Sequence, residues 1–258
     1  NANNGVSIAG VDWRCKLMPV KVLDSSGWGY YSWWAAGINY ATDNGAHVIN
    51  LSASGSGSST TLTGAINNAI NAGLIFVTTA GNDGDGSVKY PGSLLQAITV
   101  GATERNDVKA PFSNWGAHVD MVAPGRDIYT VNQYGNLGRW WGTSFAAPQV
   151  AGAAALLLSL KPELDQAAIT ALLIAGAEDQ VGDSQDAAGF DAYYGWGRLN
   201  VYNSILLAQT SASIEKLSNR RIRLQWEHSP NAESKAPYKI KWSSNLVDWN
   251  TINSPSIS

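Results

Sequence analysis

Segments with the pattern of β-strands alternate with segments with the pattern of helices over residues 1–209 of this chain. β-branched and apolar runs bounded by turn residues predict strands at 15–23, 47–52, 74–80 and 97–103. Apolar residues at helical spacing predict helices at 32–43 (with Ser32 as N-cap), 60–72, 163–175 and 201–209. This alternation predicts an α/β fold, in which a mainly parallel sheet carries helices on both faces and the ligand crevice lies beyond the carboxyl ends of the strands.

The balance of charge changes after residue 209, which predicts a second module. Residues 1–209 hold 10 basic and 16 acidic side chains, whereas residues 210–258 hold 7 basic and 4 acidic ones. In the tail, polar and apolar residues alternate at 222–226, 238–242 and 248–252, as in half-buried strands. We therefore predict two domains, the α/β domain at 1–209 and a short all-β fragment at 210–258.

The strands predicted in the tail resemble the opening of a fibronectin type III-like domain. Trp226, Trp242 and Trp249 fall on or beside these strands. They could form a carbohydrate-binding platform, but tryptophan in short strands belongs more often to a core.

Ser144 stands at the head of a strongly apolar segment, residues 151–160. The small residues Gly142 and Thr143 precede it and mark the turn that opens a helix. A hydroxyl at that place lies in the positive end of the helix dipole, where backbone N–H groups can meet a developing oxyanion. Pro148 is expected in the first turn, where its missing N–H costs nothing. Local chemistry leaves two interpretations, a nucleophile or a closely packed core helix with a capped end.

Four short blocks are the most constrained motifs of the chain. They read VINLS at 48–52, VTTAGN at 77–82, FSNWG at 112–116 and GTSFAAPQVAG at 142–152. In sequence and in order, these blocks resemble the subtilisin-like serine proteases (subtilases), and the similarity covers roughly residues 1–209. The resemblance implies the subtilisin-like α/β fold.

The resemblance also implies roles for individual side chains. Ser144 corresponds to the catalytic nucleophile, and Asn82 to the amide that donates a hydrogen bond to the oxyanion. Without the resemblance, Asn82 would be read as a turn residue only. The residues implied to bind substrate are Ser52, Ala53, Ser54, Gly55, Thr79, Ala80, Gly81 and Thr143.

The substrate-binding residues form two walls in this interpretation. The segment 52–55 would pair with an extended peptide, and 79–81 would form the opposite wall of the pocket for the residue before the cleaved bond. The family usually has Ser-Leu-Gly where this chain has Ser52-Ala53-Ser54. Small side chains here predict a roomy pocket.

No segment matches the two upstream motifs that supply the family's catalytic acid and base. Residues 24–27, Asp-Ser-Ser-Gly, imitate the acidic motif but follow a predicted strand where the family has a turn. His47 and His118 precede strand-like segments, and His228 lies in a turn-like part of the tail. Because residues 3–11 resemble the loop after the family's histidine helix, we expect the chain to begin after the base. The isolated chain should then show negligible proteolysis.

The chemistry implied by the resemblance requires no cofactor and no catalytic metal. The loop at 2–8, with Asn4, resembles one that helps to hold a structural calcium ion in some family members. The other ligands of that ion would have to come from outside this chain. Cys15 is single, which excludes an internal disulfide, and we expect a buried thiol. Trp196 is expected in the core.

Composition restricts the partners. The net charge of −3 and the lack of a dense basic patch argue against nucleic acid, and the one long apolar run is tied to the Ser144 motif, which argues against a membrane span. The resemblance implies a secreted, monomeric protein that acts on polypeptides. Two functions remain: the nucleophile-bearing part of a serine endopeptidase, or a catalytically silent peptide-binding or adhesive scaffold.

Overall fold

The computed structural model describes residues 5, 8–132 and 134–209, and the backbone of four strands in the tail. The chain divides into two compact units, Asn1–Gln209 and Thr210–Ser258. The helices are α1 (Tyr31–Asp43), α2 (Thr60–Asn71), α3 (Thr143–Leu160), α4 (Gln166–Gly176) and α5 (Val201–Gln209). The strands of the first unit are β1 (Val48–Leu51), β2 (Ile75–Thr79), β3 (Ile98–Thr103), β4 (Met121–Pro124), β5 (Ile128–Val131) and β6 (Leu137–Trp140).

Strands β1 to β4 form one parallel sheet in the order β1-β2-β3-β4. The pairing places Leu51 beside Thr78, Thr79 beside Val100, and Thr103 beside Pro124. The carboxyl ends of all four strands therefore meet at one edge. The prediction of a mainly parallel sheet is confirmed.

Both faces of the sheet are covered by helices, as predicted. Ile75 and Val77 of β2 belong to a core cluster that includes residues of α3 and α4, whereas Phe76 belongs to a cluster with residues of α1 and α2. Successive side chains of a strand point to opposite faces, so this division shows one helix layer on each side. Ser59 and Asp165 cap α2 and α4 by accepting hydrogen bonds from the backbone.

Helix α3 packs against all four strands of the sheet. By length and composition it could cross a membrane, but Ala147, Val150 and Ala154 are fully buried in the domain core. Pro148 is not in its first turn: the helix begins at Thr143, so the prediction is wrong by two residues or more. The carbonyl of Ser144 therefore has no intrahelical donor at position 148.

Three predictions near the amino end of the described chain are wrong. Residues 15–23 form no strand, because β-propensity gives a strand only where a neighbouring backbone pairs with it. Cys15 is exposed rather than buried. Helix α1 begins one residue before Ser32, and its N-cap, Tyr30, makes no side-chain hydrogen bond.

Two features of the later chain also differ from expectation. Trp196 is 43% exposed, and Tyr194, fully buried, takes the core position instead. The tight turn that pairs Asp191 with Gly195 directs the tyrosine inward. The hairpin β5–β6 was not predicted, since its short strands contain Gly138 and Arg139 and show no clear apolar alternation.

The tail contains two antiparallel pairs, β7 (Ser211–Leu217) with β8 (Arg221–Glu227) and β9 (Ile240–Trp242) with β10 (Asn250–Ile252). Three of these strands overlap the predicted runs, and β7 is additional. The likeness to a fibronectin type III-like domain stays a prediction. Asn4, Trp249 and the side chains of Trp226 and Trp242 lie outside what the structure describes.

Asp120 is a partly buried carboxylate at the amino end of β4. Its Oδ2 accepts a hydrogen bond from the backbone N–H of Thr99 at 2.7 Å. Burial raises the pKa of Asp120 to about 6, although the Thr99 hydrogen bond acts in the opposite direction. The folded domain therefore holds this proton more tightly than the unfolded chain does.

We predict that Asp120→Asn makes the domain less sensitive to rising pH. The stabilisation from the bound proton is complete below about pH 4 and is lost as pH rises through about 6, so the parent loses about 1–3 kcal/mol that the variant keeps. Urea unfolding followed by tryptophan fluorescence from pH 4 to 7 measures this. Comparing variant with parent cancels the opposite contribution of His118, whose pKa burial lowers. Parallel pH profiles would contradict the prediction.

Candidate active site

The carboxyl edge of the sheet brings the two halves of the predicted site together. Ser52 follows β1, Asn82 follows β2 after Ala80 and Gly81, and Ser144 is the second residue of α3. The hydroxyl of Ser52 donates a hydrogen bond to the backbone carbonyl of Ser144 at 3.1 Å. Residues far apart in sequence thus share one short stretch of the sheet edge.

Ser144 is half-buried, and its hydroxyl is only loosely held. Its Oγ lies 3.4 Å from the carbonyl oxygen of Ser52, a long contact for a hydroxyl donor. Because Ser144 lies in the first turn of α3, its own N–H is among the donors that have no partner inside the helix. The position suits a nucleophile whose oxyanion would form beside the helix start.

None of the described histidines lies beside Ser144. His47 directly precedes β1, at the opposite end of that strand from Ser52, roughly 16 Å away at about 3.3 Å per residue. His118 precedes β4, and neither of its ring nitrogens has a hydrogen-bond partner. His228 lies outside the described residues. The described part of the chain therefore offers no histidine base for Ser144.

The side-chain amide of Asn82 is held in one orientation by Thr143. Its Oδ1 accepts hydrogen bonds from the Thr143 N–H at 2.9 Å and from the Thr143 hydroxyl at 2.8 Å. Among the described residues, Nδ2 has no partner, and a Cβ added to Gly142 would lie 3.5 Å from it. The amide thus presents an unpaired donor beside the helix start, which is the arrangement that an oxyanion requires.

Two buried threonine hydroxyls form a hydrogen-bonded chain that ends at this amide. Thr79 donates to the Thr143 hydroxyl, which in turn donates to Asn82, and both threonine side chains are buried. Ala80 is also fully buried, and its N–H bonds to the carbonyl of Val100 at 3.0 Å. The residues of the predicted pocket wall, Thr79, Ala80 and Gly81, are thus all buried.

The predicted strand edge at 52–55 is more open. Ser52, Ala53 and Gly55 are half-buried and Ser54 is exposed. Gly55 exchanges two backbone hydrogen bonds with Tyr90, at 2.8 and 2.9 Å, which anchors the far end of the segment. The near end stays available beside Ser144.

Aromatic residues directly precede Gly142 and directly follow Ser144, and their rings pack in pairs. The ring of Phe145 stacks on Trp140 with centroids 6.3 Å apart, and Phe112 contacts Trp141 with centroids 5.0 Å apart. The β5–β6 hairpin ends at Trp140 and so leads directly into Gly142. The sequence did not predict this hairpin, so these aromatic contacts were not expected.

Asn114 is a supporting residue to which sequence reasoning assigned no role. It is fully buried, and its Oδ1 accepts hydrogen bonds from the N–H groups of Asp83 and Gly84 at 2.7 and 3.0 Å. Its Nδ2 donates to the Asp83 carboxylate and to the Ser87 carbonyl. Asn114 therefore shapes the loop that follows Asn82. Its place in the FSNWG block was the only signal.

We predict that Asn114→Ala destabilises the first unit by roughly 2–4 kcal/mol, because several part-buried hydrogen bonds of this buried side chain are lost at once. Asp83→Ala is the matched variant, since it removes one partner of Nδ2 at an exposed position and leaves Oδ1 to accept from the two N–H groups. It should cost clearly less in the midpoint of urea unfolding. Equal losses for both variants would show that the accepting oxygen does not hold the loop.

Comparison with known proteins agrees with this geometry. The chain is 37% identical over 203 residues to subtilisin E of Bacillus subtilis (strain 168), which covers 77% of this chain and 51% of that protein. It is 37% identical over 236 residues to a cell wall-associated protease of the same strain, covering 84% of this chain and 26% of that protein. The chain thus spans about half or less of the length of these curated relatives.

Solved structures show the same likeness. Proteases from Pseudoalteromonas arctica PAMC 21717 match with a TM-score of 0.70 and 32% identity, over 80% of this chain and 67% of that one. The prenylagaramide maturation protease PagA matches with a TM-score of 0.63 and 32% identity, over 70% and 69% of the two chains. The sequence model of the subtilase family matches residues 1–197. The chain belongs to the subtilase family.

Proposed function

We propose that this chain is the nucleophile-bearing part of a secreted serine endopeptidase, which cleaves polypeptides through an acyl-enzyme on Ser144. The observation that carries the proposal is the Asn82 amide, whose oxygen is fixed by two hydrogen bonds from Thr143 and whose nitrogen is left unpaired beside Ser144. A free amide donor next to a hydroxyl at a helix start matches the needs of acyl transfer. Membership in a protease family supports a polypeptide substrate.

The proposed reaction uses the two sides of the site differently. An extended peptide lies along 52–55, and its carbonyl carbon receives the Ser144 oxygen while the serine proton passes to a base. The new oxyanion accepts hydrogen bonds from Asn82 Nδ2 and from the Ser144 N–H. The protonated base gives its proton to the amine as the C–N bond breaks, which leaves the acyl-enzyme, and water then hydrolyses the ester and restores the Ser144 hydroxyl. Buried Thr143 keeps the Asn82 amide from rotating as charge develops.

This reaction needs a base, and none of the described histidines is near Ser144. We therefore propose that these 258 residues by themselves have negligible proteolytic activity, and that acid and base motifs encoded upstream in the same gene complete the site. The second candidate, a silent peptide-binding scaffold, is favoured by the same observation, because the Ser144 hydroxyl contacts only the Ser52 carbonyl among the described groups. The upstream sequence and the reactivity of Ser144 separate the two.

We predict that a fluorophosphonate probe labels Ser144 in the polypeptide extended by its own upstream sequence, and not in the 258-residue chain. Mass spectrometry of the labelled peptide identifies the site, and hydrolysis of an unfolded protein substrate measures turnover. Ser144→Ala is the control for both readouts. A folded, extended polypeptide that carries no label, or a gene without acid and base motifs, would favour the scaffold.

In the active polypeptide, Asn82→Ala should lower kcat with little change in KM, because the amide acts on the transition state. The size expected is the roughly 10²- to 10³-fold loss known for removal of such a donor from subtilisin, a member of the same family. Steady-state kinetics on a peptide substrate give both constants. An unchanged kcat would remove Asn82 from the proposed oxyanion site.

A further inference from the structure

Pro148 creates a local defect one turn after the nucleophile. In an α-helix the carbonyl of residue 144 accepts a hydrogen bond from the N–H of residue 148. Proline has no N–H, and its ring crowds the carbonyl four residues earlier. The Ser144 carbonyl, at the most sensitive position of the site, must therefore find another donor or stay unpaired.

The hydroxyl of Ser52 supplies that donor. Its Oγ lies 3.1 Å from the Ser144 carbonyl oxygen, although the two residues are 92 positions apart in sequence. The side-chain amide of Asn50, on β1, donates to the same Oγ at 3.0 Å. Because a hydroxyl has one proton, acceptance from Asn50 leaves that proton directed at Ser144.

We propose that Ser52 is a positioning residue, whose hydroxyl replaces the amide missing at Pro148 and fixes the backbone of Ser144. The hydrogen bond ties the first turn of α3 to the carboxyl end of β1. Ser144 Oγ lies 3.4 Å from the Ser52 carbonyl, so the two serines face each other through both backbone and side chain. The catalytic consequence rests on the proposed function; the tether itself does not.

This tether has a specific consequence for the geometry of the site. The segment 52–55 is also the edge proposed to pair with the peptide substrate, so one short piece of chain sets the position of both nucleophile and substrate. The Ser52 hydroxyl itself makes no proposed contact with the substrate, so its loss removes none. It frees the backbone that carries the attacking oxygen and its N–H donor, and this affects kcat more than KM.

The tether is tested first by stability, on the 258-residue chain, with Ser52→Ala, Pro148→Ala and the double variant. Ser52→Ala should raise the unfolding equilibrium constant roughly fivefold in the parent, the usual effect of one hydrogen bond. In the Pro148→Ala background residue 148 regains its N–H, so the same change should cost less than about twofold. Equal effects in both backgrounds would overturn the tether.

Two matched variants serve as controls for this stability measurement. Ser52→Thr keeps a hydroxyl and should retain most of the stability that Ser52→Ala loses. Ser56→Ala removes a hydroxyl from an exposed position in the same loop and should leave unfolding unchanged. A loss for Ser56→Ala as large as that for Ser52→Ala would show a general effect of the loop, and would also overturn the tether.

The catalytic consequence is tested in the unlabelled extended polypeptide, after a separate sample has shown that Ser144 reacts with the probe. Ser52→Ala should lower kcat roughly tenfold with KM within about twofold, and Pro148→Ala should restore part of the loss. A changed KM with constant kcat would overturn the positioning role. An extended polypeptide without label would instead refute the proposed function, and the stability cycle would still decide the tether.

Discussion

The packing of α3 against the parallel sheet determines the rest of this structure. Residues such as Ala146, Ala147, Ala153 and Ala154 are fully buried, and their small side chains allow the helix to approach the strands closely. The helix contacts every strand of the sheet, so its position is fixed across the whole sheet rather than at one point. Its first turn consequently lies at the carboxyl edge, between the segments that follow β1 and β2.

At that edge, side-chain amides and hydroxyls take the place of backbone partners. Asn114 bonds to the loop after Asn82, and Ser52 bonds to the carbonyl that Pro148 leaves free. Buried backbone groups must be paired, and here the sheet and helix ladders end before every group has found a partner. The polar residues that complete these ladders also orient the candidate catalytic groups.

In the described site, hydrogen bonds therefore hold the oxyanion side in place, whereas the side that would supply the base has no histidine. The oxyanion side is held by buried threonines and by Asn114, and the proposed substrate edge is anchored at Gly55. No described histidine reaches Ser144, and the chain spans about half or less of the curated relatives with which it shares the fold. Membership in the subtilase family and the chemistry of this half of the site agree, while activation of the serine depends on a base.

Much of the fold follows from local pattern. Helices α2, α4 and α5 and strands β1 to β3 lie close to their predicted positions, because each has an amphipathic or continuous apolar pattern and most are bounded by turn residues. Local pattern gave wrong predictions where strand pairing or the direction of a side chain determines the structure. Residues 15–23 have strand propensity without a paired neighbour, and Trp196 is apolar but points outward from a tight turn.

The sequence by itself determined the parallel α/β class, the family, and the identity of Ser144 and Asn82 as the residues of interest, because these depend on short contiguous motifs. Only the tertiary structure decided that Thr143 orients Asn82, that Asn114 shapes the following loop, and that Ser52 meets the carbonyl opposite Pro148. Each of these is a contact between segments distant in sequence. Such contacts are set by the register of the sheet and by the docking of α3, which no local pattern encodes.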